Sequence, residues 1–320
     1  MVDTHYDLLS ICYKCYIDND YSKIEKFSKE IISSGVKCIF ANLYFMSKKE
    51  MIDELGANYY REDVSILDMF KISKAILEKY LPNIEFIYSI EGCDYLSIDD
   101  LEPLYNEGLR SLLLVWNEEN RYGSGNRSDK GLTNEGRLFI NKAIELGIGI
   151  DLSHANEPTF YGIIEVVKDN INRGKEVLCY ASHSNSRRLY DRPRNLTDDE
   201  LYALKSVNGY VGLLSNSHFI SCGHTAPKDI QRKKYIEHIL YVGSIIGFDK
   251  VMLSTDNMMF MADYDFEYGL VGIYNYSTIK KDIEEDLLKY ISKDKSEDIL
   301  FNNAYTIVNK LNNNIKKVNY

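Results

Sequence analysis

His5 and Asp7 stand two residues apart in Val2-Asp3-Thr4-His5-Tyr6-Asp7-Leu8-Leu9, a stretch of strand-like composition. In extended chain, residues two apart share a face, about 7 Å from each other. An imidazole and a carboxylate presented together suit one end of a metal site. Further residues with the same chemistry stand at the ends of apolar runs. Glu91 follows the run 84–90, His154 follows 148–152, His183 follows 176–181, and Asp256 follows 250–254. Of six histidines in the sequence, His5, His154 and His183 fall on or beside such runs. One histidine so placed is most often structural, satisfied by a carbonyl. The set points to a metal site. Imidazole plus carboxylate without thiolate suits zinc, and also manganese, iron or cobalt. Three histidines with Asp7 and Glu91 exceed what one catalytic zinc with an open position needs. They suit two metals that share a bridging carboxylate, an arrangement that activates water and polarises a carbonyl or phosphoryl oxygen. Asp256 is then a spare carboxylate, suited to carry a proton.

These residues must be brought together by the elements around them. Strand-like runs at 2–9, 36–45, 84–90, 109–116, 148–152, 176–181, 210–214 and 250–254 alternate with helical patterns. The patterns predict helices over 20–33, 63–79, 98–106, 133–146, 157–172, 229–246 and from Thr197, whose side chain caps a first turn holding Asp198 and Asp199. Alternation of this kind implies parallel pairing with right-handed crossovers. Eight such units close into a (β/α)8 TIM barrel, with the active site at the C-terminal strand ends. An open doubly wound sheet is the competitor, but no G-x-G-x-x-G follows the first strand. No linker or repeat divides the chain, so one domain over 1–320 is expected, with a helical C-terminal tail from about 278.

Composition narrows the classes. The 320 residues are 45% hydrophobic and 27% charged, with a net charge of -10. That balance describes a globular chain and argues against nucleic acid or an anionic membrane surface as partner. No run approaches the roughly 18 apolar residues of a membrane span. The start shows no basic-then-apolar leader, so a cytoplasmic protein is expected. The six cysteines are therefore expected to be reduced and mostly buried. Cys12-Tyr13-Lys14-Cys15 has C-x-x-C spacing, but no second pair completes a zinc ribbon. Arg187, Arg188, Arg192 and Arg194 form a basic run. It fits phosphate or carboxylate recognition, although solvated charge is the commoner fate of such a run.

Taken together, His5-Tyr6-Asp7, Glu91-Gly92, Gly131-Leu132-Thr133 through Gly136-Arg137, Ile150-Asp151-Leu152-Ser153-His154, Ser182-His183-Ser184-Asn185 and Pro193-Arg194-Asn195-Leu196-Thr197-Asp198-Asp199 resemble the renal (membrane) dipeptidases, metallopeptidases on amidohydrolase-like barrels. The order and spacing of these segments span most of the chain. The resemblance implies a dipeptidase holding two zinc ions per chain. His5 and Asp7 would bind one zinc, His154 and His183 the other, and Glu91 would bridge them. A metal-bridging hydroxide would attack the peptide bond. Asp256 would pass its proton to the leaving amine, which makes Asp256 and Glu91 the catalytic pair. Arg194 would hold the terminal carboxylate of a small dipeptide, with a D-residue at that end among the candidates. Family members often pair, so a homodimer is implied.

Two positions depart from the family pattern. Trp116 and Asn117 stand where many members carry a substrate-binding histidine after strand four. They remain candidates for contacting substrate, Trp116 as a side-chain wall or as plain core. Where the family often shows Asp-Phe-Asp-Gly, this chain has Asp256-Asn257-Met258-Met259. His218, His224 and His238 match no ligand position and read as ordinary polar or loop histidines. Two alternatives stay open. One is another binuclear-metal hydrolase acting on a lactone, ester or non-peptide amide. The other is a catalytically silent barrel that binds a ligand.

Overall fold

A computed structural model of the chain describes residues 1–45, 64–257 and 272–313. Eight strands pair in parallel in chain order: β1 Val2–Tyr6, β2 Cys38–Tyr44, β3 Glu85–Glu91, β4 Leu109–Leu113, β5 Gly149–Asp151, β6 Cys179–Ala181, β7 Tyr210–Leu214 and β8 Val251–Ser254. β1 and β2 are buried along their whole length. This is why their sequences read as nearly unbroken apolar runs rather than as alternating patterns. The end strands meet to make a nearly closed barrel. Asp256 N donates to His5 O at 3.0 Å, and Tyr6 bridges Asn257. Asp3 ties the seam, accepting from Thr255 N at 3.0 Å, Thr255 Oγ1 at 2.7 Å and Tyr276 Oη at 3.0 Å. The expected TIM barrel is therefore present.

Most helices begin where the sequence predicts, because their caps are explicit. Thr133 accepts from Gly136 N ahead of Asn134–Leu146, Asn156 from Thr159 N ahead of Glu157–Asn172, and Thr197 from Glu200 N ahead of Asp198–Ser206. Ser65 caps Ile66–Tyr80, so that helix starts after residue 65, and residue 63 lies outside the described residues. The first strand corrects the sequence reading. It ends at Tyr6, and a helix, Leu8–Asp18, starts at once. That helix is apolar on most sides, so it shows no stripe from which its period could be read. Cys12 and Cys15 lie inside it, and burial pushes both thiols up, away from the reactive thiolate form. All six cysteines are free, as expected, and five are buried.

The core has two parts. Between strands and helices lies the larger one. A smaller one fills the barrel with Val2, Cys38, Phe40, Ile87, Tyr180 and Met252. The helix Asn303–Asn313 turns Ala304, Ile307, Val308 and Leu311 onto this inner layer. Its first side chain donates to Phe248 O and Val251 O, each at 2.8 Å. The helical stretch from Ile279 onward is thus no loose tail, since its last helix plugs the barrel at the N-terminal strand ends. Residues 314–320 lie outside the described residues. The opposite end, where the strands finish, stays open for a site.

Candidate active site

The C-terminal strand ends bring His5, Asp7, Glu91, His154, His183 and Asp256 into one cluster. His5 Nε2 lies 3.5 Å from Asp7 Oδ1, 3.2 Å from Glu91 Oε2 and 3.9 Å from Asp256 Oδ1. His154 Nε2 lies 3.0 Å from Glu91 Oε1. His183 Nε2 lies 4.0 Å from Glu91 Oε1 and 3.1 Å from His154 Nε2. Two sets of ligand atoms, His5–Glu91–His183 and His5–Asp7–Asp256, each fit within 4.8 Å. Both sets contain His5, and Glu91 also reaches His154, so the clusters overlap rather than standing apart.

Local structure holds each group in place. The strand stops at Tyr6, so His5 and Asp7 are not two positions of one extended face. A turn at Asp7 swings its carboxylate back beside His5. His154 and Asp256 sit at φ +68° and +47°. Such left-handed backbone costs a non-glycine residue about 1 kcal/mol or more and clusters at functional sites. Gly92 lets the chain leave Glu91, because a Cβ there would meet Phe45 O at 2.3 Å. Asn42, which sequence reasoning missed, donates from Nδ2 to both Asp7 Oδ1 and Glu91 Oε2 at 2.9 Å. His183 Nδ1 pairs with Ser182 Oγ at 2.7 Å, and the His5 and His183 rings stack at 3.8 Å.

The electrostatics of this cluster suit a cation. Burial raises Glu91 to about 7 and Asp256 to about 6. Burial also pushes His154 and His183 well below the usual imidazole range, with Arg194 and His5 adding to it. For His5 burial pulls the same way, but the carboxylates of Glu91 and Asp7 outweigh it and raise the ring. Protons alone serve the cluster poorly: His5 Nε2 and Glu91 Oε1 are buried and complete no hydrogen bond. At a bond length near 2.1 Å, neighbouring ligands of a tetrahedral zinc are about 3.4 Å apart. Separations of 3.0 and 3.1 Å around His154 are close to that edge. Donor types, spacing and orphaned atoms all fit divalent metal.

A cavity of about 380 Å³ opens onto the cluster. Arg194, Trp116, Asn117 and Asp256 line it. Arg194 is buried, donating from Nη1 to Ser184 Oγ at 3.1 Å and from Nη2 to His183 O at 2.9 Å. Its neighbours in the basic run are used elsewhere, Arg187 on Asn195 O and Pro193 O and Arg192 on Tyr190 Oη. Trp116 is a wall: it meets Tyr44 edge-on at 5.0 Å, and the Arg127 guanidinium sits 5.9 Å from its ring. Asn117 turns its Oδ1 to His154 Nδ1 at 3.1 Å. His218, read from the sequence as a polar or loop histidine, lies at the cavity. A turn at Ser217–Phe219, capped by Asn216 Oδ1 on His218 N, brings it to the cavity wall. His238 is structural, its Nδ1 accepting from Ser186 N at 3.1 Å. A second cleft of about 480 Å³ lies on the outer helices, where Asp286 pairs with Arg232 and Lys289 at 2.7 and 2.6 Å.

The chain is similar to known proteins in sequence and in fold. The family model "Membrane dipeptidase (Peptidase family M19)" matches residues 4–319. A Klebsiella pneumoniae protein described as the uncharacterized protein in the pqqA 5′ region is 33% identical over 165 residues, 49% of this chain and 58% of that protein. An uncharacterized dipeptidase of Schizosaccharomyces pombe is 28% identical over 199 residues, 60% of this chain and 45% of its own length. The chain thus spans about half the length of these curated relatives. Among solved structures, a metallo peptidase from Rhodobacter sphaeroides, liganded with a phosphinate mimic of the dipeptide L-Ala-D-Ala, superposes with a TM-score of 0.72. It is 17% identical, and the match covers 97% of this chain and 98% of that one.

Proposed function

Since the chain belongs to the membrane dipeptidase family, peptidase family M19, we propose that it hydrolyses dipeptides with the help of two zinc ions. The observation that carries this reading is the meeting of three imidazoles and three carboxylates in one cluster, four of whose members, Asp7, Glu91, His154 and Asp256, line one small cavity. His5 and Asp7 would hold one ion, His154 and His183 the other, with Glu91 between. Imidazole and carboxylate without thiolate favour zinc over softer metals. When bound, such a pair supplies an activated water and polarises the scissile carbonyl.

The chain's own residues do the rest. Arg194 has two of its five donors committed to Ser184 and His183. The others are free to take a substrate carboxylate in fork geometry. Asp256 stands at the cavity wall, its Oδ1 3.9 Å from His5 Nε2. A carboxylate so placed can take a proton from the attacking water and give it to the departing amine. Trp116 and Tyr44 exclude water along one wall. The cavity is near the small end of the range for ligand sites, which favours a dipeptide over a longer chain. Free, mostly buried thiols support a reducing compartment such as the cytoplasm. Among the described residues no helix is long and apolar enough to cross a membrane.

The test is hydrolysis of a panel of dipeptides with L- or D-residues at the C-terminal position, beside esters and lactones, with metal content measured on the same sample. The D-residues belong there because the Rhodobacter structure holds a mimic of L-Ala-D-Ala. Dipeptide turnover lost to a chelator and regained with zinc is expected. Turnover of esters or lactones alone would overturn the peptide reading. Ligand binding by a metal-loaded chain that cuts nothing would make it a silent barrel.

A further inference from the structure

The loop after β4 is laced onto the segment that carries His154. Gly125 pairs with Ala155, and Asn156 N donates to Ser124 O at 3.1 Å. Gly125 must be glycine, since a Cβ would meet Trp116 O at 1.6 Å. This close approach sets the Asn117 amide against the His154 imidazole and the Asn126 amide behind it. Asn117 Oδ1 lies 3.1 Å from His154 Nδ1, and Asn126 Nδ2 donates to the same Oδ1 at 3.2 Å. Arg127 N donates to Asn117 O at 2.9 Å and fixes the backbone of the pair.

A neutral imidazole has one N–H and one lone pair, and a partner that can only accept decides which nitrogen carries which. We propose that Asn117, held by Asn126, is a positioning residue that keeps His154 in its Nδ1–H form and so aims the Nε2 lone pair at the metal centre. The inference rests on the metal-binding reading above. It assigns Asn117 a role through His154 rather than a contact with substrate. The two histidines of the pair differ in this respect. His183 Nδ1 faces the Ser182 hydroxyl, which donates or accepts and dictates nothing. The amide oxygen of Asn117 only accepts. If the amide faced the other way, the proton would sit on Nε2, 3.0 Å from Glu91 Oε1, and the nitrogen could not bind metal. Partners of this kind are worth roughly 10- to 100-fold in metal affinity.

The experiment has two arms. In metal-free protein with ¹⁵N-labelled histidine at pH 7.5, His154 should show the Nδ1–H tautomer. In a Co²⁺ titration followed by its visible absorption, Asn117→Leu should weaken one of the two cobalt equivalents about 10- to 100-fold. Asn117→Asp, which keeps the acceptor, should restore it. His154 protonated on Nε2 in the wild type would overturn the proposal. So would an Asn117→Leu protein that binds all its cobalt as tightly as wild type. A wild type that takes up no cobalt would overturn the metal reading instead, and the tautomer, read without metal, keeps the two failures apart.

Discussion

His154 Nε2 and His183 Nε2 face each other at 3.1 Å, and burial disfavours a proton charge on either ring. Two imidazoles in that posture can share one N–H or a cation, and Glu91 Oε1 at 3.0 Å from His154 favours the cation. Removing the shared carboxylate should therefore do more than remove one ligand. Glu91→Gln keeps the shape and deletes the charge. Turnover should fall by at least about 10³-fold, and at least one metal equivalent should be lost, since metal affinity and water activation fail together. Metal analysis of the purified variant beside dipeptide hydrolysis checks it. Full activity in Glu91→Gln would remove Glu91 from the centre.

Arg194 should act on binding rather than on chemistry. A charged hydrogen bond is worth about 1.5–3 kcal/mol, so Arg194→Ala should raise KM by about 10- to 100-fold for dipeptides with a free terminal carboxylate. Amidated dipeptides should be affected little. Because Arg194 also braces His183 O and Ser184, a melting curve must accompany the kinetics. Equal losses on free and amidated substrates would mean that Arg194 serves only as that brace.

Asp256 offers a cleaner separation of proton transfer from metal binding. Its backbone is left-handed at φ +47°, a conformation that asparagine tolerates well. Asp256→Asn should therefore fold as wild type and retain its metals. General acid–base work contributes about 10²–10⁴-fold, so kcat should drop by that range with KM little changed. Loss of metal in this variant would instead make Asp256 a ligand, a reading that its 3.9 Å approach to His5 keeps in view.

What could be read in the sequence was what one short stretch can encode. Thr133, Asn156 and Thr197 announce their helices locally, and buried parallel strands announce themselves as apolar runs. Candidate ligands at or just past strand ends, such as Glu91, His154 and His183, could be placed by barrel geometry from the sequence. Residues that act across elements could not. Asn42 lies within β2 and looks like a polar interruption, yet it joins Asp7 to Glu91. Asn126 and His218 are loop residues whose roles exist only because their loops fold back over the strand ends. The helix Leu8–Asp18 hid for the opposite reason. It packs on so many sides that no polar face marks its period.

Stability at acid pH should depend in part on His238, which bonds Ser186 rather than a candidate ligand. Burial, aided by Lys234, lowers its pKa from the ordinary 6.5 to about 4. The neutral ring is required, because Nδ1 accepts from Ser186 N. The unfolded chain takes a proton near 6.5 and the folded chain only near 4. The stabilisation from a neutral His238 is therefore complete above 6.5 and lost as pH falls towards 4, up to about 3 kcal/mol. Glu91, Asp256 and Asp3, whose pKa values burial raises, act with the opposite sign over much of this window. The quantity to measure is thus a difference. Urea unfolding of wild type and His238→Gln at pH 7.5 and 5 isolates the histidine, since the carboxylates cancel between the two proteins. Wild type should be the more stable at pH 7.5, by about 1–3 kcal/mol for the buried N–H left without its partner. The gap should narrow at pH 5. A gap that stays constant would show that His238 does not change its protonation on unfolding.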